Sequence, residues 1–240
     1  MDTIKIENSR VKMIAHRGVS GLEEENTCAA FVAAGNRSYF GIETDVHKTK
    51  DGRFIIIHDD RTGRVSPIDH SVEGTDFDTL RALHLYDREP GRFRGDLIPP
   101  TLEEYISICK RYEKTAVLEL KNHMDAEDIR RIVAAIAEEG YLEQTIFISF
   151  DLPNMISVRS LLPHQKAQYL IEGKIPDDLI GTLKKYALDL DVDHHLLTRE
   201  FVERLHAAGI EINVWTVNDL TDARRLAQWG VDYITSNIIE

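Results

Sequence analysis

The sequence predicts an α/β fold, a closed (β/α)8 TIM barrel with an inserted excursion after its second strand. Three observations point there. β-Rich runs alternate with segments of helical period along most of the chain, the pattern of parallel strands joined by helical crossovers. The parallel strands so counted number about eight, the closure number of this barrel. The 240 residues suit a barrel of about 250 residues. No linker, repeat or low-complexity tract divides the chain, so residues 1–240 read as a single domain with an insertion at about 60–100. An open doubly wound sheet would instead require a Gly-rich phosphate turn after the first strand, and His16-Arg17-Gly18 is not one.

The elements follow in order. Val11 to His16 reads as the first strand and Thr27 to Asn36 as its helix, with Cys28, Phe31, Val32 and Gly35 expected on one face. Gly41 to His47 is the second strand. Phe54 to His58 follows through Lys50-Asp51-Gly52, a link too short for a parallel crossover but suited to a hairpin. The segment from Asp60 to Pro100 has no clear period and is rich in Gly, Pro and Arg, as functional excursions are. Alternation resumes with a helix at Leu102 to Tyr112 and a strand at Ala116 to Lys121. Helix and strand pairs then come at Ala126 to Glu139 with Thr145 to Phe150, Pro153 to Leu162 with Lys166 to Ile171, and Pro176 to Tyr186 with Leu188 to Val192. The last two pairs are Arg199 to Ala208 with Glu211 to Val217, and Leu220 to Trp229 with Asp232 to Thr235.

Composition narrows the function. With 29 Lys+Arg against 41 Asp+Glu, a net charge of -12, the chain repels phosphate backbones and nucleic acid is not an expected partner. Cys28 and Cys109 fall in helical stretches without metal spacing and read as reduced core thiols. The opening MDTIKIENSRVKMIAH lacks the apolar stretch of a secretion signal. No window reaches the roughly 18 apolar residues of a membrane span. A cytoplasmic protein without stable membrane insertion is expected; oligomeric state is not legible.

In a barrel, chemistry collects at the C-terminal ends of the strands. Here those ends carry His16-Arg17, Glu43 and Asp45, His58-Asp59, and Glu119 and Lys121, whereas later strands end in Ser149, Asp191, Asp193, Trp215, Thr216, Thr235 and Ser236. Glu43 and Asp45 are two apart on a strand and share a face. If the strand bearing Glu119 is the neighbour, three carboxylates converge where one hard divalent cation, Mg²⁺ or Ca²⁺, would fit. A salt-bridge cluster with Arg17 and Lys121 is the alternative. The hairpin brings His58 roughly opposite Glu43, and His16 leaves the adjacent strand at the same rim, so two imidazoles flank the acids as a general acid and base pair. Arg17 and Lys121 supply the charge that clamps a phosphate. His47 is expected on the opposite face, as a bystander. Together these residues indicate metal-assisted displacement at a phosphoester.

These motifs resemble the glycerophosphodiester phosphodiesterases over nearly the whole chain. The resemblance lies in His16-Arg17-Gly18, Glu25-Asn26-Thr27 with Ala30-Phe31, Glu43-Thr-Asp45-Val and Thr49-Lys50-Asp51-Gly52. It continues in His58-Asp59, Ile98-Pro with Thr101-Leu102-Glu103-Glu104, Glu119-Leu-Lys121, Ser149-Phe150 and Val214-Trp215-Thr216-Val217-Asn218. It implies hydrolysis of diesters such as glycerophosphocholine or glycerophosphoethanolamine to sn-glycerol 3-phosphate and an alcohol. It further implies Glu43, Asp45 and Glu119 on the cation, His16 and His58 as catalytic pair, Arg17 and Lys121 on the phosphate, and Trp215 as a wall for the glycerol. The chain departs from the family in carrying Glu24 where Pro is usual, in Thr235-Ser236-Asn237-Ile238 where Thr-Asp-x-Pro is usual, and in a shorter stretch after His58-Asp59. That stretch leaves no single arginine among Arg61, Arg64, Arg88, Arg92 and Arg94 assignable to substrate. The excursion is expected over the mouth, with Tyr86 and Phe93 covering the leaving alcohol.

Other readings are a sibling phosphodiesterase acting on a lysophospholipid, sphingomyelin or inositol phospholipid, a retaining glycosidase, which needs paired carboxylates but no metal, and a barrel that only binds phosphorylated ligands.

Overall fold

The computed structural model describes residues 2–7, 10–88, 92 and 94–240. Eight parallel strands close on themselves: β1 (Lys12–Ala15), β2 (Gly41–Lys48), β4 (Thr115–Leu120), β5 (Thr145–Ser149), β6 (Ala167–Ile171), β7 (Asp189–Asp193), β8 (Ile212–Trp215) and β9 (Tyr233–Ser236). The ring is shut by β1, which pairs with β9 on one side and with β2 on the other, Ile14 facing Gly41. The remaining strand, β3 (Phe54–Ile56), lies outside the ring and pairs antiparallel with β2, Val46 opposite Ile56, while Ile55 bridges to Thr101 on its other edge. This is the hairpin expected from Lys50-Asp51-Gly52, in which Gly52 takes a φ of 78°, accessible to glycine at little cost.

Helices α1 (Cys28–Gly35), α3 (Leu102–Arg111), α4 (Ala126–Glu138), α5 (Leu152–Leu161), α6 (Leu179–Tyr186), α7 (Arg199–Ala207) and α8 (Leu220–Trp229) lie between successive strands of the ring, while short α2 (Phe77–Arg81) belongs to the excursion. Local chemistry sets their starts. Thr27 caps α1 by accepting from the Ala30 amide at 3.1 Å, and Thr101 with Glu104 forms a reciprocal capping box on α3. The fully buried side chains of Phe31, Tyr105, Phe147, Leu190 and Leu205 join the helices to the strands in one continuous core.

Several sequence expectations change. In α1 the buried side is Ala30, Phe31, Ala34 and Gly35, and Val32 is 37% exposed, because the two Ala residues turn inward with Phe31. α6 begins at Leu179, since Pro176 opens a turn closed by the Leu179 amide rather than the helix itself. β8 stops at Trp215, and the Trp215–Thr216 peptide is cis. The excursion is not structureless: a 3-10 turn at Thr62–Arg64, α2 and a bridge between Arg61 and Ser71 surround a separate apolar cluster that includes Val65, Val72, Phe77, Leu80 and Leu97. Cys109 is buried and Cys28 half-buried, and both are free.

Candidate active site

The C-terminal ends of the strands open into a cavity of about 480 Å³ lined by His16, Arg17, Glu43, His58, Glu119 and Lys121 on one side and by Phe150, Asp191, Trp215 and Thr235 among others on the other. Every residue expected to bind the cation, hold substrate or transfer a proton lines it except Asp45, which is buried at 1% exposure. A larger groove of about 690 Å³ sits at the opposite end of the barrel, beside Lys12 and Asp232, and gathers none of these residues.

The acidic cluster follows from strand register. β2 and β4 are neighbours, Asp45 is level with Glu119, and Glu43 lies one pleat below on the same face. Ligand oxygens of all three come within 4.8 Å of one another, and all three side chains are buried. Burial and the Asp45 charge push the Glu119 carboxyl up to about 8 and Glu43 well above its usual range. Lys121, with Arg17 and His58, outweighs burial at Asp45 and holds it below the usual range. Two cations serve the cluster: Lys121 Nζ is 2.9 Å from Glu119 and 3.6 Å from Asp45, and Arg17 Nε is 3.7 Å from Asp45. Arg17 Nε nevertheless has no hydrogen-bond partner among the described residues. An ionised Asp45 beside two carboxyls, Glu43 and Glu119, that hold their protons for want of positive charge is a fit for a hard divalent cation.

The short motifs around this cluster have local work to do. Gly18, at φ 75°, passes so close to α1 that a Cβ would stand 2.7 Å from the Ala30 backbone. That approach lets the Arg17 amide donate to Glu43 at 2.7 Å and the Gly18 amide to the Glu43 carbonyl at 3.1 Å. Glu25 receives both Arg17 (2.9 Å) and Arg64 (2.7 Å). Asn26 donates to Asp45 at 2.8 Å and accepts from Thr44 at 2.7 Å. Glu24, in place of proline, still closes the turn, its carbonyl accepting from the Thr27 hydroxyl.

The two imidazoles face different partners. His58 follows the end of β3, and the antiparallel register puts it level with Thr44, one residue from the expected Glu43. Its Nδ1 lies 2.6 Å from Asp59, a carboxylate that Arg64 holds through a further bond. His16 sits one residue past β1 with Nδ1 2.6 Å from the amide oxygen of Asn237, next to a Ser20 hydroxyl at 3.0 Å. Burial and the neighbouring Arg17 charge push His16 down to about 4; burial, outweighing Asp45, also lowers His58. Asn237 was not singled out as a site residue, because the contact joins the two ends of the barrel wall. In the Thr-Asp-x-Pro register Ser236 takes the Asp position, and Asn237, at the unspecified position, gives His16 an uncharged acceptor.

Replacing Asn237 by Asp would set a carboxylate against that ring and favour its cationic form. The acid limb of the kcat/KM profile of Asn237→Asp is expected to move to higher pH by about one unit or more. An unmoved limb would separate Asn237 from the ionisation of His16.

On the other wall, Trp215 stacks edge-on against Phe150 at 5.7 Å, and its Nε1 has no hydrogen-bond partner among the described residues. Asp191 is buried at the floor, accepts from Asn213 at 3.1 Å, and is pushed up to about 8 by burial. Tyr86 is 39% exposed and does not line the cavity. Phe93 lies outside the described residues. Arg64 is spent on Asp59 and Glu25.

His47 needs correction. Period two along β2 places residues 43, 45 and 47 on one face, not His47 opposite the acids. It is fully buried, between Glu73 and the carbonyl of His58.

Residues 16–240 match the model of the glycerophosphoryl diester phosphodiesterase family. A glycerophosphodiester phosphodiesterase of Caldanaerobacter subterraneus is 29% identical over 229 residues, covering 94% of this chain and 93% of that protein. Among solved structures, a phosphodiesterase of Oleispira antarctica in complex with the product sn-glycerol-3-phosphate is 27% identical with a TM-score of 0.81, covering 95% of this chain and 93% of that one. A glycerophosphodiester phosphodiesterase of Thermotoga maritima is 25% identical with a TM-score of 0.74, covering 95% and 94%. No described helix is long and apolar enough to cross a membrane.

Proposed function

The chain belongs to the glycerophosphoryl diester phosphodiesterase family, and from that premise we propose how its cavity works. It is a phosphoric diester hydrolase that cleaves glycerophosphodiesters to sn-glycerol 3-phosphate and an alcohol. The observation that carries the reading is the convergence of Glu43, Asp45 and Glu119 within 4.8 Å at a barrel mouth where His16, His58, Arg17 and Lys121 line the same cavity.

Glu43, Asp45 and Glu119 would hold the cation, Mg²⁺ or Ca²⁺, which when bound supplies Lewis acidity toward a phosphate oxygen. Arg17 and Lys121 face the phosphate and offset charge that grows on its oxygens in the transition state. The ring backed by a neutral amide, His16, takes the proton from the attacking hydroxyl, whether water or the neighbouring glycerol hydroxyl. The ring backed by a carboxylate, His58, has in Asp59 a partner that favours its cationic form against burial, and it protonates the departing alcohol. Trp215 walls the glycerol. Glycerophosphocholine and glycerophosphoethanolamine are the diesters expected as substrates.

The test is to strip the protein with chelator, then titrate Mg²⁺ and Ca²⁺ separately while measuring sn-glycerol 3-phosphate released from those two diesters and from a lysophospholipid. Release from the diesters that depends on one of the cations is expected. Glycoside hydrolysis surviving chelation, with no diester turnover, would replace this reading.

A further inference from the structure

His58 stands two residues beyond the end of β3; the Ile57 amide still donates to the Asp45 carbonyl at 3.1 Å, and the regular ladder stops there. The His58 carbonyl itself is met by a side chain. His47 Nε2 lies 3.1 Å from the His58 carbonyl, and a carbonyl only accepts, so Nε2 carries a proton and donates. On the far side of the same ring, Nδ1 lies 3.1 Å from Glu73 Oε1, again an acceptor. Both ring nitrogens therefore face acceptors. Glu73 also receives Asn122 Nδ2 at 2.9 Å. Asn122 follows Lys121 directly and reaches Asp60 at 2.9 Å as well. The fully buried His47 is thus a strut: one end is on the excursion, through Glu73, and the other is on the residue that carries a reacting imidazole.

We propose that His47 is a positioning residue for the hydrolysis, fixing the His58 backbone through its Nε2 donor, and that Glu73 is the contact through which the excursion braces that strut. The proposal rests on the phosphodiesterase reading for its consequence in turnover, but not for the bond itself.

Two substitutions separate the halves of the ring. Gln places an amide nitrogen near the position of Nε2, whereas Asn places one near Nδ1. His47→Gln is expected to keep kcat within about threefold of the parent. His47→Asn keeps a group facing Glu73 but loses the donor to His58, and its kcat should fall about tenfold or more with KM within about twofold, since misplacing a catalytic group by about 1 Å costs up to about 10²-fold. In a His58→Ala background, His47→Asn should cost nothing further. Equal losses in the Asn and Gln variants, or full additivity with His58→Ala, would reduce His47 to packing and overturn the proposal.

A measurement on the unsubstituted protein covers the case in which the variants do not fold. Nitrogen-15 NMR of the imidazoles should show a His47 Nε2 proton protected from exchange and coupled across a hydrogen bond to the His58 carbonyl. A rapidly exchanging or absent proton would refute the strut. If that bond is present but the protein turns over no glycerophosphodiester, the functional reading fails and the strut stands.

Discussion

His16→Ala and His58→Ala are each expected to lower kcat by about 10²–10⁴ while leaving KM and the far-UV circular dichroism close to those of the parent. Both rings stand at the open mouth of the barrel, where truncation removes little of the continuous apolar core. The loss should also differ in kind. His58 is assigned to the departing alcohol, so its variant should recover on diesters whose alcohol leaves without help, such as a p-nitrophenyl ester. The His16 variant should not. Near-parent turnover by either variant, or equal recovery by both, would sink the assignment.

The second large effect concerns the cation. Glu43→Gln, Asp45→Asn and Glu119→Gln should each abolish most turnover, and chelation should do the same to the parent. Binding should also register as stability. A cation at 100 times its Kd adds about 2.7 kcal/mol to the folded state, and the gain depends on pH with a definite sign. The Glu119 carboxyl is raised from its usual 4.5 to about 8 in the cation-free fold. That fold therefore keeps a proton the unfolded chain releases, and the resulting stability is complete below about 4.5 and lost as pH climbs through about 8. A cation that displaces the proton reverses this. Calorimetry should show proton release on binding and a larger rise in Tm at pH 8 than at pH 5. A Tm indifferent to both cations across that range would mean that the acids do not hold one.

Much of this molecule was legible in the order of its residues, for physical reasons that also explain what was not. Strands and helices of the ring announce themselves because each buries a face at its own period. The acids of Glu43-x-Asp45 and Glu119 were readable because strand register turns sequence spacing into distance. Asn237 was not, since its bond to His16 spans 221 positions and no local pattern encodes it. The excursion was opaque because it is held by side chains rather than by a repeat: the Thr62 hydroxyl donates to the Ile68 carbonyl at 2.6 Å, and Arg61 bonds Asp69. His47 is a different case: period two puts it on the face of Glu43 and Asp45, but its bond to the His58 carbonyl depends on the hairpin and not on parity.

The hairpin strand β3 has a consequence for how the enzyme fails. His16 is carried by the closed cylinder, His58 by an annex with its own small oily centre, built from residues such as Ile55, Ile57 and Leu80 and joined antiparallel to a single stave. Silencing the catalyst therefore does not require dismantling the cylinder. Loosening the annex alone is expected to part the two rings and lower turnover before the cylinder unfolds, which activity and far-UV circular dichroism followed together on heating would show.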